Sequence, residues 1–541
     1  MLVEEKPIQN TPAQIRLPLL LAVALAGGIF IGATMFGDSK NRQLIGKGYM
    51  KFREILNYID QNYVDTVNTE ELVDYSIEKM LEKLDPHSTY FPAKEVEMAN
   101  MQLEGDFDGI GVEFNIFKDT LYVVSPITGG PSESVGIQSG DKIVQVNGEN
   151  IAGANAKLDN AKVFKWLRGK KGSQVKLGIL RKGNPKVQNF TVTRDKIPSY
   201  SVDVAMMIDQ QTGYIKVTRF AANTYAEFKE AMTKLKSKGM KRLLLDLRDN
   251  PGGYMDKAVG MVDELVGGNA MIVYQDGKGS RFDSESRAKV NGIFEKGAVI
   301  VLINEGSASA SEIIAGALQD NDRALVVGRR SFGKGLVQLP IDLSDGSELR
   351  LTISRYYTPS GRSIQKPFAA YEEDMKRRYD KGEFFYEDSI KLDKSKTYKT
   401  RKGRTVYGGG GIMPDIFVPM DTGKFTYLNQ LFQENIIREY AFNYYNDNKA
   451  TLSKMKYEDF KQSFKVTEKM LNQITEMGRK ANITADPLSI QASQKLIQMH
   501  TKALIARSIW KNEGFYPIIF EEDEVFQEAI KHFAEADKIV N

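Results

Sequence analysis

Between residues 199 and 328, runs of buried-strand type alternate with stretches of helical periodicity, and few folds accommodate that rhythm. GYIKV is followed by residues 225–235, which set Phe228, Met232 and Leu235 on one helical face. RLLLDLR, a helical stretch at 255–265, AMIVYQ, AVIVLIN, a helix from about Ser309 and ALVVG come next. Apolar strands alternating with amphipathic helices predict an α/β layer built on a largely parallel sheet. We assign this core to 199–365 and 405–420.

The flanks have other textures. Residues 41–100 read as a helical N-terminal segment, with Phe52, Ile55, Leu56, Ile59, Leu72, Ile77, Met80 and Leu81 at helical spacing before Asp85-Pro86 interrupts the pattern. Residues 105–195 form a β-rich module in which GVEFNIF, TLYVVSPI, KIVQVNG and QVKLGILR are separated by Gly, Pro and Asn, with one helix near 161–167. Residues 366–404, dense in charge and tyrosine, read as an inserted, solvated surface segment. The tract 421–541 is predicted helical, starting with Leu428, Phe432, Ile436 and Tyr440.

After a tail at 1–16, residues 17–36 (LPLLLAVALAGGIFIGATMF) carry no charge. As a helix they span roughly 30 Å, enough to cross a bilayer once. The run ends in Met35 and Phe36 rather than a small-residue cleavage site, so an uncleaved anchor is expected. Lys40, Arg42, Lys47 and Lys51 follow it and only Lys6 and Arg16 precede it. That bias favours a cytoplasmic C-terminal bulk, though the tendency is weak for large translocated domains.

Composition excludes several chemistries. The 541 residues hold 74 Lys plus Arg against 70 Asp plus Glu, so no basic surface for nucleic acid is expected. Cysteine is absent, which removes thiol nucleophiles and disulfides. His87, His500 and His532 lie too far apart for the usual zinc spacings, and no metal site or cofactor is predicted.

Three stretches carry candidate chemistry. In NEGSASASEIIAGALQD (304–320) a buried strand gives way to small residues and an apolar helix. Ser309 there sits at a helix N-terminus, where free N–H groups and the helix dipole stabilise an oxyanion. Ser309 to Glu312 also fits a capping box, which caps helices in proteins of no activity. Lys334, in RRSFGKGLVQLP, is flanked by Phe332, Gly333, Gly335 and Leu336, none of which offers a counter-charge. Lowering a lysine pKa from about 10.4 to about 7 disfavours the ammonium by roughly 4.6 kcal/mol, work that burial can do. Gln338, four residues on, is placed to hold the amine. The same stretch reads G-x-x-x-x-G-K from Gly328, but its eighth residue is Gly335, with no hydroxyl for magnesium, and a strand-like pattern follows. Nucleotide binding is therefore rejected. In LDLRDNPGGY (245–254), glycine permits close backbone approach, so Gly252 or Gly253 together with Ala310 could form a two-donor oxyanion hole.

Taken together, LDPHSTYF, FDGIGVEF, GIQSGDKIVQVNGE, WLRGKKGSQVKLGILR, DLRDNPGGY, EGSASASEIIAGALQD, FGKGLVQ, RYYTPSGRSIQ and GIMPDI resemble the carboxyl-terminal processing (tail-specific) serine peptidases, over roughly residues 85–419. The resemblance implies a crotonase-like α/β protease core with an embedded PDZ domain. It puts the nucleophile on Ser309, the general base on Lys334 and the supporting glutamine on Gln338, working through an acyl-enzyme without metal or ATP. It further implies that protein substrates with apolar C-termini add a strand to the PDZ sheet edge. Gly109, Ile110, Gly111 and Val112 would then receive the terminal carboxylate, and Leu121, Val123, Val163 and Leu167 would line the groove. On the bland alternative these four are core. The family usually works outside the cytoplasmic membrane, which outweighs the charge flanks and implies a single-pass inner-membrane protein with its catalytic part in the periplasm or an equivalent space. A homo-oligomer or an adaptor partner is compatible with the sequence. The rival from another class is an inactive, membrane-anchored PDZ adaptor, in which Ser309 is only a cap and Lys334 only a turn residue.

Overall fold

Helices Ser39–Asn62 and Thr69–Leu81 make up the described part of the first of two units, which ends at Lys83. The Asn68 side chain caps the second helix by accepting the N–H groups of Glu70 and Glu71. The computed structural model describes residues 39–153, 157–368, 371, 373–391, 393–420, 426–484 and 486–540. The expected anchor at 17–36 lies outside the described residues. Among those described, no helix is long and apolar enough to cross a membrane.

The second unit, from Leu84 onward, is organised around a six-stranded sheet. Its order is Val202–Met207, Thr212–Val217, Arg242–Asp246, Val299–Ile303, Leu325–Gly328 and Ile416–Phe417, parallel throughout except for the first pair. Every residue of Val299–Ile303 is buried, so both sheet faces need cover. Helices Thr224–Ser237, Met255–Asp263 and Ala310–Asp320 cover one face with Phe228, Met232, Val262 and Ile314. The other face, bearing Tyr214, Leu244, Ile300 and Leu302, is covered by Val525, Phe526, Ala529 and Phe533 from the last 20 residues. The chain's end is thus a layer of the α/β core, and not only a helical region appended to it.

One strand read as part of the alternation belongs elsewhere. Met271–Gly277 pairs antiparallel with Ser284–Arg287 and Glu348–Tyr357, in a second sheet that also holds Thr89–Phe91 and Leu336–Asp342. The strand Leu336–Asp342 stands where a phosphate-binding loop would require a helix.

The β-rich module is a sheet in the order Val112–Phe117, Thr120–Pro126, Lys142–Val146, Gln174–Leu180 and Gln188–Thr193, with Glu149–Asn150 beside Lys142–Val146. Its helix, Asn160–Leu167, is capped by Asp159. Helices from Thr426–Gln433 to Pro487–Ile519 form a further core of their own. The last of these is interrupted at Trp510 and Lys511, where Lys511 has φ of 57°.

The solvated reading of 366–404 holds for the largely exposed stretches 386–391 and 393–399 but fails at Lys366, Asp374, Arg378 and Glu383, which are buried. Arg378 is 2 % exposed; its guanidinium donates to the carbonyls of Arg330 (2.7 Å) and Ser331 (3.2 Å) and to Glu383 Oε1 (2.7 Å). Glu383 also takes a two-pronged bond from Arg330, 2.7 Å on each arm. Charge density here reports a paired, buried network that straps the 330–334 loop, a case in which like composition hides opposite environments.

Candidate active site

Ser309 stands at the junction between strand Val299–Ile303 and helix Ala310–Asp320, with φ of 54° and ψ of −113°. A non-glycine residue held there costs of order 1–3 kcal/mol, which surrounding contacts must over-determine. They do so from the neighbouring loop. The Asn250 carbonyl accepts the Ala308 N–H (3.0 Å) and the Ser311 hydroxyl (2.9 Å), and the Ser307 hydroxyl donates to the Leu247 carbonyl (2.8 Å). The 247–253 and 304–311 loops are therefore one knitted structure.

Glu312 makes one half of a capping box, its carboxylate accepting the Ser309 N–H, while the serine hydroxyl makes no cap hydrogen bond. The Glu312 N–H goes instead to the Ser309 carbonyl, at 2.8 Å. The fully buried Glu312 carboxylate does something a cap does not. Its Oε2 accepts the N–H of Ser309 and the N–H of Lys334, each at 2.9 Å. Its Oε1 accepts the Ser331 hydroxyl (2.5 Å) and the Gly333 N–H (2.7 Å). Burial pushes this carboxyl above its ordinary value, and the four donors pull the other way by favouring the ionised form. A second bridge is the Tyr356 hydroxyl, 3.0 Å from the Ser309 carbonyl oxygen and 2.6 Å from that of Lys334. Two buried groups thus tie the main chains of Ser309 and Lys334 together.

Burial lowers the Lys334 pKa, with Glu312 and Asp85 opposing and Arg350 assisting. Among the described residues its amine makes no ion pair and no hydrogen bond, and none joins it to Ser309 in this conformation. Catalytic hydrogen bonds commonly tighten only when substrate is bound. The expectation that Gln338 holds the amine is not met in this conformation. A bulge between Val337 and Gln338 re-aims that side chain, whose Nε2 donates to Thr352 Oγ1 at 3.2 Å. Thr352 Oγ1 in turn donates to Asp85 Oδ1 at 3.1 Å.

Of the proposed oxyanion donors, Gly252 has its N–H engaged by Asn250 Oδ1 at 2.9 Å. Gly252 instead provides room: a Cβ there would lie 2.7 Å from the Ser309 Cβ and 3.1 Å from the Ala310 nitrogen, at φ of 102°. The N–H groups of Gly253 and Ala310 have no hydrogen-bond partner among the described residues. They are the available pair.

His87, a residue the motif reading could not place, lies close enough to Lys334 for the lysine's charge to act on it. Its Nε2 lies 2.5 Å from the Tyr371 hydroxyl, and Tyr371 comes from the strapping segment. Burial, then Lys334, depress His87 to about 4, so it is neutral near pH 7. Lys366 lies with its ammonium 3.8 Å from the Phe332 ring and 4.1 Å from the Tyr371 ring. The LDPHSTYF and RYYTPSG matches were the available signals for Asp85, His87 and Tyr356.

In the β-rich module, Leu121, Val123, Val163 and Leu167 are buried core, so the bland reading of these four holds and the groove assignment is withdrawn. The strand Val112–Phe117 is an edge, and the half-buried Phe114 ring on it meets the Phe164 ring of helix Asn160–Leu167 edge-on, 5.7 Å apart. Within 109–112, Ile110 is buried, Gly109 pairs with Asp195, and Val112 begins the edge strand. Gly111 has φ of 71°. Its N–H has no partner among the described residues.

The profile of peptidase family S41 matches residues 211–376, and that of the PDZ domain matches 109–193. A carboxy-terminal-processing protease of Bartonella bacilliformis is 32 % identical over 429 residues, covering 76 % of this chain and 94 % of its own. The chain belongs to peptidase family S41. Carboxy-terminal processing protease CtpA of Bacillus subtilis is 34 % identical over 334 residues, 61 % of this chain and 68 % of that one. The solved photosystem II D1 C-terminal processing protease is 28 % identical, covering 69 % of this chain and 87 % of that one, with a TM-score of 0.36. This S41 member is accordingly a serine-type peptidase that carries a PDZ domain and a helical C-terminal region. Ser309, Lys334 and the Gly252-Gly253 turn all lie within the matched peptidase segment, whereas Asp85 and His87 precede both matches. Residues 427–511 match a family of unknown function, DUF8443.

Proposed function

We propose that this S41 peptidase cleaves peptide bonds with Ser309 as nucleophile and neutral Lys334 as general base. The observation carrying this reading is the single Glu312 oxygen that binds the N–H of both residues, beside an amine that is desolvated and unpaired. The Ser309 hydroxyl attacks the substrate carbonyl carbon while its proton passes to Lys334 Nζ. The oxyanion accepts hydrogen bonds from the N–H groups of Gly253 and Ala310. Collapse breaks the C–N bond, and the Lys334 ammonium returns the proton to the departing amine, leaving an acyl-enzyme on Ser309. Water then attacks the acyl carbon, losing a proton to Lys334, and as the ester bond breaks the ammonium returns that proton to Ser309 Oγ, regenerating the serine hydroxyl and the neutral lysine. The network through Gln338, Thr352 and Asp85 positions the wall of the lysine pocket.

In this reading substrates are proteins with exposed apolar C-termini. The tail adds a strand to the edge Val112–Phe117, its carboxylate meets the Gly109-to-Val112 loop, and its last apolar side chains meet Phe114 and Phe164. The chain works outside the cytoplasmic membrane, held by residues 17–36. A reporter ending in an apolar tail is expected to be cleaved about ten-fold faster than the same reporter ending in two aspartates, by mass spectrometry of the products. Equal rates would remove the PDZ domain from substrate choice.

A further inference from the structure

The second face of the sheet is covered by the chain's last helices, and their N-terminal end lies beside the loop that carries the oxyanion donors. Arg248 opens that loop. Its guanidinium sits between two carboxylates, one from each region. Nε and Nη2 donate to the buried Asp246 at 2.7 to 3.1 Å. Nη1 and Nη2 donate to Asp523 Oδ1 and Oδ2 at 2.8 and 2.7 Å. Both carboxylates are themselves fixed. Asp246 accepts the Tyr214 hydroxyl at 2.7 Å, and the Tyr214 ring meets Phe520 and Phe526 edge-on. Asp523 is the N-cap of helix Glu524–Ala529, accepting the Phe526 N–H at 3.0 Å.

Packing does not replace this grip. A cavity of about 880 Å³ borders Arg248, Asp249 and Asn304 on one side and Met499, Tyr516 and Asp523 on the other, so on that side the Arg248 side chain is held by its ion pairs rather than by packing, while its main chain is held by Lys216 and Asp246. Two residues beyond Arg248, the Asn250 carbonyl holds Ala308 and Ser311, and its side chain holds Gly252. A displacement of Arg248 therefore passes directly to Gly253 and to the Ser309 turn.

We infer that Asp523 is a positioning residue for catalysis: through its two-pronged bond to Arg248, the C-terminal helical region holds the oxyanion loop in register with Ser309. The inference rests on the Ser309/Lys334 reading. It assigns the last helices a part in turnover rather than in tail capture.

Asp523→Asn is the informative variant, because asparagine caps a helix as well as aspartate does but carries no charge for the guanidinium. In the full chain, with an apolar-tailed reporter, kcat is expected to fall about ten-fold or more with KM within two-fold, the size expected from a sub-ångström misplacement of catalytic groups. The melting temperature should stay near that of the unaltered protein, and Asp523→Glu should restore most of the rate. Glu522→Gln, which breaks the adjacent ion pair to Lys495, should leave kcat unchanged. Unchanged kcat in Asp523→Asn would overturn the inference. So would a rise in KM alone, or equal losses of kcat in Asp523→Asn and Glu522→Gln. Cleavage of the reporter that persists in Ser309→Ala would instead sink the underlying reading, and the inference with it.

Discussion

Replacing Ser309 with alanine is expected to lower kcat/KM for a tail-bearing substrate by at least about 10⁴-fold, the scale on which nucleophile removal acts in serine peptidases. The loss should be confined to chemistry. Alanine keeps the Cβ that meets Gly252, and the backbone bonds of residue 309 to Glu312 and Tyr356 do not involve the hydroxyl. Tail-peptide affinity should stay within about two-fold, because the PDZ domain has a core separate from that of the peptidase sheet. Calorimetric titration of the tail peptide beside a cleavage assay measures both quantities. Cleavage at even a tenth of the normal rate would place the nucleophile elsewhere.

Lys334→Met should cost nearly as much, since methionine fills the space of the stem and supplies no base. The sign of the pH dependence follows from burial, which lowers the folded-state pKa of Lys334 below its ordinary value. The neutral amine therefore accumulates as pH rises through that lowered value, and kcat/KM should climb about ten-fold per pH unit on the acid limb. The same shift acts on stability. The unfolded chain binds a proton that the folded lysine releases, so stability of the unaltered protein rises with pH between the lowered value and about 10.4. Lys334→Met abolishes that slope. It should melt higher than the unaltered protein near neutral pH, with the difference shrinking on the alkaline side. A methionine variant that melts lower at every pH, or an acid optimum for cleavage, would contradict a desolvated lysine.

Much of the core, and the placing of Ser309 between a buried strand and an apolar helix, were legible because they are local signals. Apolar strands announce a buried sheet, and a serine between such a strand and an apolar helix announces an elbow. What escaped the sequence was set by distant partners. The all-buried strand Val299–Ile303 implies a second covering layer, but nothing local says that Val525, Phe526 and Phe533 supply it, more than 200 residues later. The charged tract after Lys366 looks like a solvated face because composition records the charges of Arg378 and Glu383 and not their burial against one another. Gln338 was placed by its spacing from Lys334 and by the family resemblance, neither of which registers the bulge that goes with its bond to Thr352. Glu312 was visible as a cap. Its bond to the Lys334 backbone, which ties the lysine's main chain to that of Ser309, depends on a loop 22 residues away.

The most direct test of the Ser309/Lys334 pair is labelling by a fluorophosphonate, followed by mass mapping of the adduct across pH. The unaltered protein should carry a single phosphonyl group on Ser309, formed faster as pH rises, and Lys334→Met should be labelled at least about 100-fold more slowly at every pH. An adduct on another residue, or labelling of Ser309 in Lys334→Met at an undiminished rate, would contradict a serine activated by lysine.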